Sequence, residues 1–484
     1  MRNCSWLINI LLLLSGVLSL QSNAKDPLEG LTITAMQEMR SSNQITYQAL
    51  TQHYIDRIKK LDDHYKSVIT LAPDAIKQAK EKDLIFAKGN ATGMLFGVPV
   101  LIKDNIDVKG LPTTAGAMAL SKNVAKTDAS IVAKLRKEGA IILGKTNLSE
   151  WANFKSMQSS SGYSKIGGQT KNAFHAQYSP CGSSSGSAVA VAVDFALVAI
   201  GTETDGSILC PASMNGLVGF KPSRHKISQH GIVPLAKSQD TAGPMTRNVE
   251  DAALVYSAIT DDISPLINAS VDYSSLSIGL IGHMQQFYIE HLTALVEVLD
   301  QFAVKGTSIH NHLPFAQVDA LINAEMQILL FEFQRDVNVY LKERGPANVK
   351  SLNQLIEFNR AQGDNKQDLL ESAAKFQDQE KFNLAKLVIQ EFALSQLKKL
   401  KEKHNIDVFV APSTGEGWKI DPINGDKYTG GSSWLAAMIG APAITVPLQV
   451  IDGIPSGLTF FALPGEDLKV LTIAREFEKM QRKN

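Results

Sequence analysis

The chain has 484 residues, 44% of them apolar, and its 48 basic and 48 acidic residues give a formal net charge of zero. That balance describes a globular protein with a large core and no net field for nucleic acid or an acidic membrane surface, so partners of either kind are not implied. Three cysteines are too few for a disulfide-rich scaffold, and neither C-x-x-C nor H-E-x-x-H occurs, so no metal or cofactor is indicated.

Met1 to Ala24 reads as a signal peptide: Arg2 is the positive n-region, Leu7 to Leu20 the apolar h-region, and Ser22-Asn23-Ala24 a small-residue cleavage site before Lys25. The h-region is shorter than the roughly 20 residues a spanning helix needs, and no lipobox-like cysteine follows it, so a periplasmic or secreted location is expected, with no membrane insertion after cleavage. Apolar residues at helical spacing from Leu31 to Tyr65, among them Leu50, Tyr54, Ile55 and Ile58, predict amphipathic helices. Ser67 to Ala72 reads as a strand, Pro73 to Asp83 as a helix, and Phe96 to Ile102 as a strand that delivers Lys103. Asp128 is placed to cap a helix running to Glu138, with Gly139 as its stop and Ala140 to Leu143 as the next strand. Ser187 to Val193 suits a helix of small residues; Phe195 to Ile200 reads as a buried strand that ends at Gly201. The middle, from about Met284 to His404, is polar and helical. Strand-like segments return at Val408 to Ala411 and Ala443 to Val450, and a helix is expected from about Asp467. The alternation predicts a layered α/β architecture.

Two Ser/Gly-rich turns bracket that small-residue helix and its strand. The first is Cys181-Gly182-Ser183-Ser184-Ser185-Gly186 and the second Thr202 to Ser207. A serine just past a buried strand, preceded by Asp205-Gly206, has the surroundings of a nucleophile beside an oxyanion hole. Local sequence alone is equally met by a serine that tightens a turn. The wording CGSSSGS, then GTETDGSILCPA, then the upstream GVPVLIKDN around Lys103, resembles the amidase signature family, and GTETDGSI with SQDTAGPM resembles its bacterial peptide amidases.

That resemblance implies a single domain over residues 25–484, built as a large mixed twisted sheet covered by helices on both faces. It also implies a Ser-Ser-Lys triad: Ser207 as nucleophile, Ser183 as relay after a cis Gly182–Ser183 bond, and Lys103 as base. Backbone N–H groups of Thr204, Asp205, Gly206 and Ser207 would form the oxyanion hole, with Ser184 and Asn105 as supports. The family usually has glycine where Asp205 stands; the peptide amidases share the aspartate.

Lysine is ordinarily solvated and protonated, which would disqualify it as a base; at the end of an apolar strand it is desolvated and its pKa falls. Asp104 faces the other way if strand alternation continues. With Cys4 in the leader, Cys181 and Cys210 are expected as buried thiols, a disulfide between them being the alternative. Gly182 to Gly186 also matches G-x-S-x-G, which would make Ser184 the nucleophile of a Ser-His-Asp α/β-hydrolase with a histidine such as His404. That elbow requires a preceding strand, and Pro180 argues against one. Two further readings are a glutaminase-type amidotransferase subunit, opposed by the leader and by Leu209 where arginine is usual, and a non-catalytic binding protein on the same fold. The expected substrate is a small-molecule or short-peptide amide with a neutral or hydrophobic acyl chain, foremost a peptide C-terminal carboxamide. Ser433 to Ala436 and Thr459 to Phe461 are candidate cleft walls, with core positions as their alternative.

Overall fold

The computed structural model describes residues 26–260, 270–285 and 289–482; the predicted leader lies outside them. Its centre is a mixed sheet of 11 strands. In chain order the strands are β1 (Val68–Leu71), β2 (Pro99–Lys103), β3 (Ile141–Thr146), a separate small hairpin β4 (Tyr163–Ser164) and β5 (Gly168–Gln169), then β6 (Val198–Glu203), β7 (Val218–Lys221), β8 (Thr241–Thr246), β9 (Ser277–Ile281), β10 (Ser308–Leu313), β11 (Val408–Pro412), β12 (Ala443–Ile451) and β13 (Ile454–Phe461). The large sheet runs β1-β3-β2-β6-β8-β7-β12-β13-β11-β9-β10. β2 is parallel to both β3 and β6, and β9 is parallel to β10 and β11, while the central strands from β6 through β8, β7, β12 and β13 to β11 pair antiparallel.

Both faces of this sheet are covered, and the alternation of β13 makes that visible. Phe460 packs in one apolar cluster with Ala252 and Tyr256 and with Phe477 of the C-terminal helix. Phe461, one residue on, packs in another with Leu209, Ile328, Leu397 and Leu435. Successive side chains of a strand point to opposite faces, so two consecutive buried phenylalanines require a helical layer on each. The polar middle of the chain supplies one of these layers through the helices Val318–Arg344, Gln379–Val388 and Ser395–His404.

Several boundaries differ from the sequence expectation for identifiable reasons. β2 starts at Pro99 rather than Phe96, because Gly97 turns the chain at φ +78° with its hydrogen face against the Tyr47 ring. β6 does not stop at Gly201 but continues to Glu203. There the glycine permits close approach, since a Cβ would lie 2.8 Å from Ser184 Oγ. Asp128 does not cap the following helix (Ser130–Lys137), whose N-cap is Ala129. Its carboxylate instead accepts from Lys109 N at 2.8 Å and from Arg136 Nε at 3.0 Å.

Candidate active site

Because β2 and β6 run parallel in register, with Val100 opposite Val198 and Ile102 opposite Ile200, their last residues emerge at one edge of the sheet. Lys103 ends the first and Glu203 the second. The helix Ser185–Ala192 lies against these strands, and its small residues are required by distance: a Cβ on Gly186 would lie 2.3 Å from Ser67 O and 2.5 Å from Asn147 O. The turn ahead of this helix therefore brings Ser183 over the end of β2. The Gly182–Ser183 peptide bond is cis.

Lys103 is fully buried, and its Nζ lies 2.8 Å from Ser183 Oγ, 2.8 Å from Thr202 Oγ1 and 3.2 Å from Thr202 O. Ser183 Oγ in turn lies 3.0 Å from Ser207 Oγ. Burial pulls the Lys103 pKa down to about 7, against the weaker opposing pull of the Glu203 and Asp240 carboxylates. Asp104 does face the other way, as strand alternation requires, and forms a buried ion pair with Lys145 at 2.9 Å. Of the two expected supports, Asn105 donates to Thr202 Oγ1 at 3.0 Å, steadying the hydroxyl that also holds Lys103. Ser184 Oγ donates to Thr202 O at 3.0 Å and accepts from Thr202 N at 3.2 Å, so its hydroxyl is committed to the β6 backbone. No strand of the sheet leads into Ser184, and His404 packs against His310 on the far-end strand β10. The strand–serine–helix elbow is thus absent among the described residues.

Thr204, Asp205 and Gly206 form the turn that presents Ser207, with Gly206 at φ +73°. A cluster that sequence reasoning missed holds this turn from beneath. Glu203, fully buried, accepts the Ile208 and Leu209 N–H groups at 2.7 and 2.9 Å, which fixes the start of the helix after Ser207. Burial raises the Glu203 pKa, opposed by Lys221 and by backbone N–H groups that include Gly206's. Thr204 Oγ1 donates to Asp240 Oδ1 at 2.6 Å, and Gln239 Nε2 reaches both Thr204 O at 3.4 Å and Glu325 Oε1 at 2.6 Å. Among the described residues no protein acceptor takes the N–H of Asp205 or Ser207.

Ser207 opens into a cavity of about 290 Å³. Phe154, Leu235 and Leu329 give it apolar lining, Trp418, Tyr428 and Ser433 line it too, and Asp205 and Asp426 are its acidic members. Ser433 alone of the segment Ser433–Ala436 lines it, and Thr459 to Phe461 do not: that stretch is fully buried core, as the two-sided sheet demands. Cys181 and Cys210 are not thiols but a disulfide with Cα atoms 5.9 Å apart, which joins the two serine-bearing turns at the cavity wall. The expectation failed because a sequence separation of 29 says nothing about distance once a helix and a strand fold the chain back on itself.

Similarity to known proteins agrees with this architecture. A family model, Amidase, matches residues 49–471. The solved peptide amidase of Stenotrophomonas maltophilia has a TM-score of 0.86 and 37% identity, over 94% of this chain and 98% of that one. A probable amidase of Arabidopsis thaliana is 33% identical over 476 residues, which is 93% of this chain and 89% of the relative. One subunit of the glutamyl-tRNA(Gln) amidotransferase of Thermoanaerobacter pseudethanolicus is 31% identical over 499 residues, covering 94% and 98%. With matches that span nearly all of the chain on a shared fold, it belongs to the amidase signature family, close to the peptide amidases, and is an amidase acting on amide C–N bonds.

Proposed function

We propose that the chain is a serine amidohydrolase that releases ammonia from neutral or hydrophobic carboxamides, foremost the C-terminal carboxamide of short peptides, through Lys103, Ser183 and Ser207. The observation that carries this reading is the continuous chain from Lys103 Nζ through Ser183 Oγ to Ser207 Oγ, with steps of 2.8 and 3.0 Å. A serine hydroxyl is a weak nucleophile until a base takes its proton. The neutral Lys103 amine accepts the Ser183 proton while Ser183 accepts that of Ser207, whose Oγ attacks the substrate carbonyl. Negative charge on the carbonyl oxygen is met by the backbone N–H groups of the 204–207 turn. The proton returns through Ser183 to the leaving nitrogen, the C–N bond breaks, and ammonia departs. Water, deprotonated by the same route, then hydrolyses the acyl-enzyme to free acid and Ser207. No cofactor enters the scheme.

The peptide-amide preference is supported by the 37% identity to a peptide amidase and by the apolar lining of Phe154, Leu235 and Leu329. Ammonia release from a neutral dipeptide amide should exceed that from free glutamine by at least about 100-fold, with no cleavage of internal peptide bonds. Preference for glutamine or internal cleavage would overturn the assignment. The 31% identity to an amidotransferase subunit favours a glutaminase reading, but Leu209, buried in the apolar layer, offers no cation for a substrate carboxylate.

We further propose that the enzyme is exported. The leader supports this, and so does the Cys181–Cys210 disulfide, since such bonds persist in oxidising compartments. Expression of the full chain in a bacterium should yield a mature form beginning at Lys25 in the periplasm. An uncleaved chain retained in the cytoplasm refutes export.

A further inference from the structure

Among the described residues, the cavity over Ser207 is lined by two carboxylates, Asp205 and Asp426, and by no lysine, arginine or histidine. The two are differently placed. Both oxygens of Asp426 accept from Ser161 N at 3.1 Å, and its Oδ1 also accepts from Trp418 Nε1 at 3.0 Å, so that its carboxylate is turned into the loop it holds together. Asp205 stands in the nucleophile turn itself, two residues before Ser207. Its Oδ1 is sealed from water and has no hydrogen-bond partner, and Ser433 meets the carboxylate.

The charges around Asp205 do not cancel it. Glu203 lies behind it on β6, and Lys221 at the end of β7 acts on both carboxylates while also facing Asp467, so one lysine is shared among three acidic groups. On the helix Val318–Arg344, Glu325 feels the Asp205 charge, and burial holds its carboxyl well above the usual carboxylate range. Tyr428, pushed up by burial and by the same carboxylates, is neutral, and Lys103, its pKa pulled down to about 7 by burial, is mostly an amine at pH 8. A carboxylate shielded from bulk water is weakly screened by salt.

We propose that Asp205 is the charge selector of this cavity: its carboxylate favours amides whose acyl part is cationic over those whose acyl part carries an anion. The proposal rests on the amidase reading above and revises its acyl range, placing cationic chains ahead of the neutral ones named there. Two unit charges about 6 Å apart at an effective dielectric of about 20 interact strongly enough to alter binding on the order of 100-fold.

The test uses three acylated amides of similar size: N-acetyl-lysine amide, N-acetyl-norleucine amide and N-acetyl-cysteic acid amide. Their charges of plus one, zero and minus one stay fixed between pH 5.5 and 8. At pH 8 and low salt, kcat/KM for the lysine amide should exceed that for the norleucine amide by about 100-fold, and the norleucine amide should exceed the cysteic acid amide by about as much again. In Asp205→Asn each ratio should fall at least about tenfold. Burial raises the Asp205 pKa, so the wild-type ratios should also shrink on acidification. Asp205→Ser decides the matter if Asp205→Asn does not fold. A wild-type ratio near one, or one that neither the substitution nor acid reduces, overturns the selector. Failure to hydrolyse even the norleucine amide would instead strike the amidase reading beneath it.

Discussion

Ser207→Ala should abolish labelling by a fluorophosphonate probe and lower kcat on a peptide amide by roughly 10⁴–10⁶, the scale on which a catalytic serine and its base act as one unit. Ser184→Ala should leave labelling detectable and cost activity only through its neighbours. The geometry separates the two cleanly. Ser207 Oγ faces the cavity 3.0 Å from Ser183 Oγ, whereas the Ser184 hydroxyl is occupied by the Thr202 N–H and carbonyl. Loss of Ser184 would loosen Thr202, whose own hydroxyl and carbonyl hold Lys103, so some decline in rate is expected of that variant. The discriminating measurement is the mass of the labelled peptide. A probe adduct on the peptide carrying Ser184, with none on Ser207, would refute the proposed triad.

Much of this site was legible because its members are local events at the ends of strands. The roles of Lys103 and Ser207 came from the family resemblance, and the local pattern agrees with it: an apolar strand that ends in a polar residue brings that residue to the sheet edge. Period-two alternation then sent Asp104 to the other face, where Lys145 receives it. The supporting residues were not legible, for a reason of topology. Gln239 and Asp240 reach the Thr204 turn from 35 or more positions away in the chain, Glu325 holds Gln239 from farther still, and no spacing rule connects them. Glu203 did leave a trace: a carboxylate ending the apolar strand Val198–Glu203 must find partners if buried, and it finds the helix N–H groups just beyond Ser207. The phenylalanine pair was ambiguous because a strand covered on one face would expose one ring of two. The sheet is covered on both.

Lys103→Ala should lower kcat by about 10²–10⁴, the usual worth of a general base, while KM for a peptide amide changes little, because the lysine lies beneath Ser183 rather than in the cavity. In the wild type, kcat/KM should rise with pH through a single step near 7, where the buried ammonium loses its proton. The same desolvation has a consequence for folding. In the unfolded chain the lysine keeps a proton up to about 10.5, whereas the folded protein releases it at about 7. Between those values the unfolded state binds more protons, so this group's contribution to stability rises with pH across that window. Below pH 7 burial of the ammonium costs on the order of 4–5 kcal/mol. Lys103→Met, which keeps the bulk without the charge, should therefore remove that part of the pH dependence of the urea midpoint while remaining inactive. Wild-type activity in Lys103→Ala, or a rate that falls as pH rises through 7, would refute the neutral amine as the base. An unchanged midpoint slope in Lys103→Met would show that the folded lysine keeps its proton, and a protonated lysine cannot accept one from Ser183.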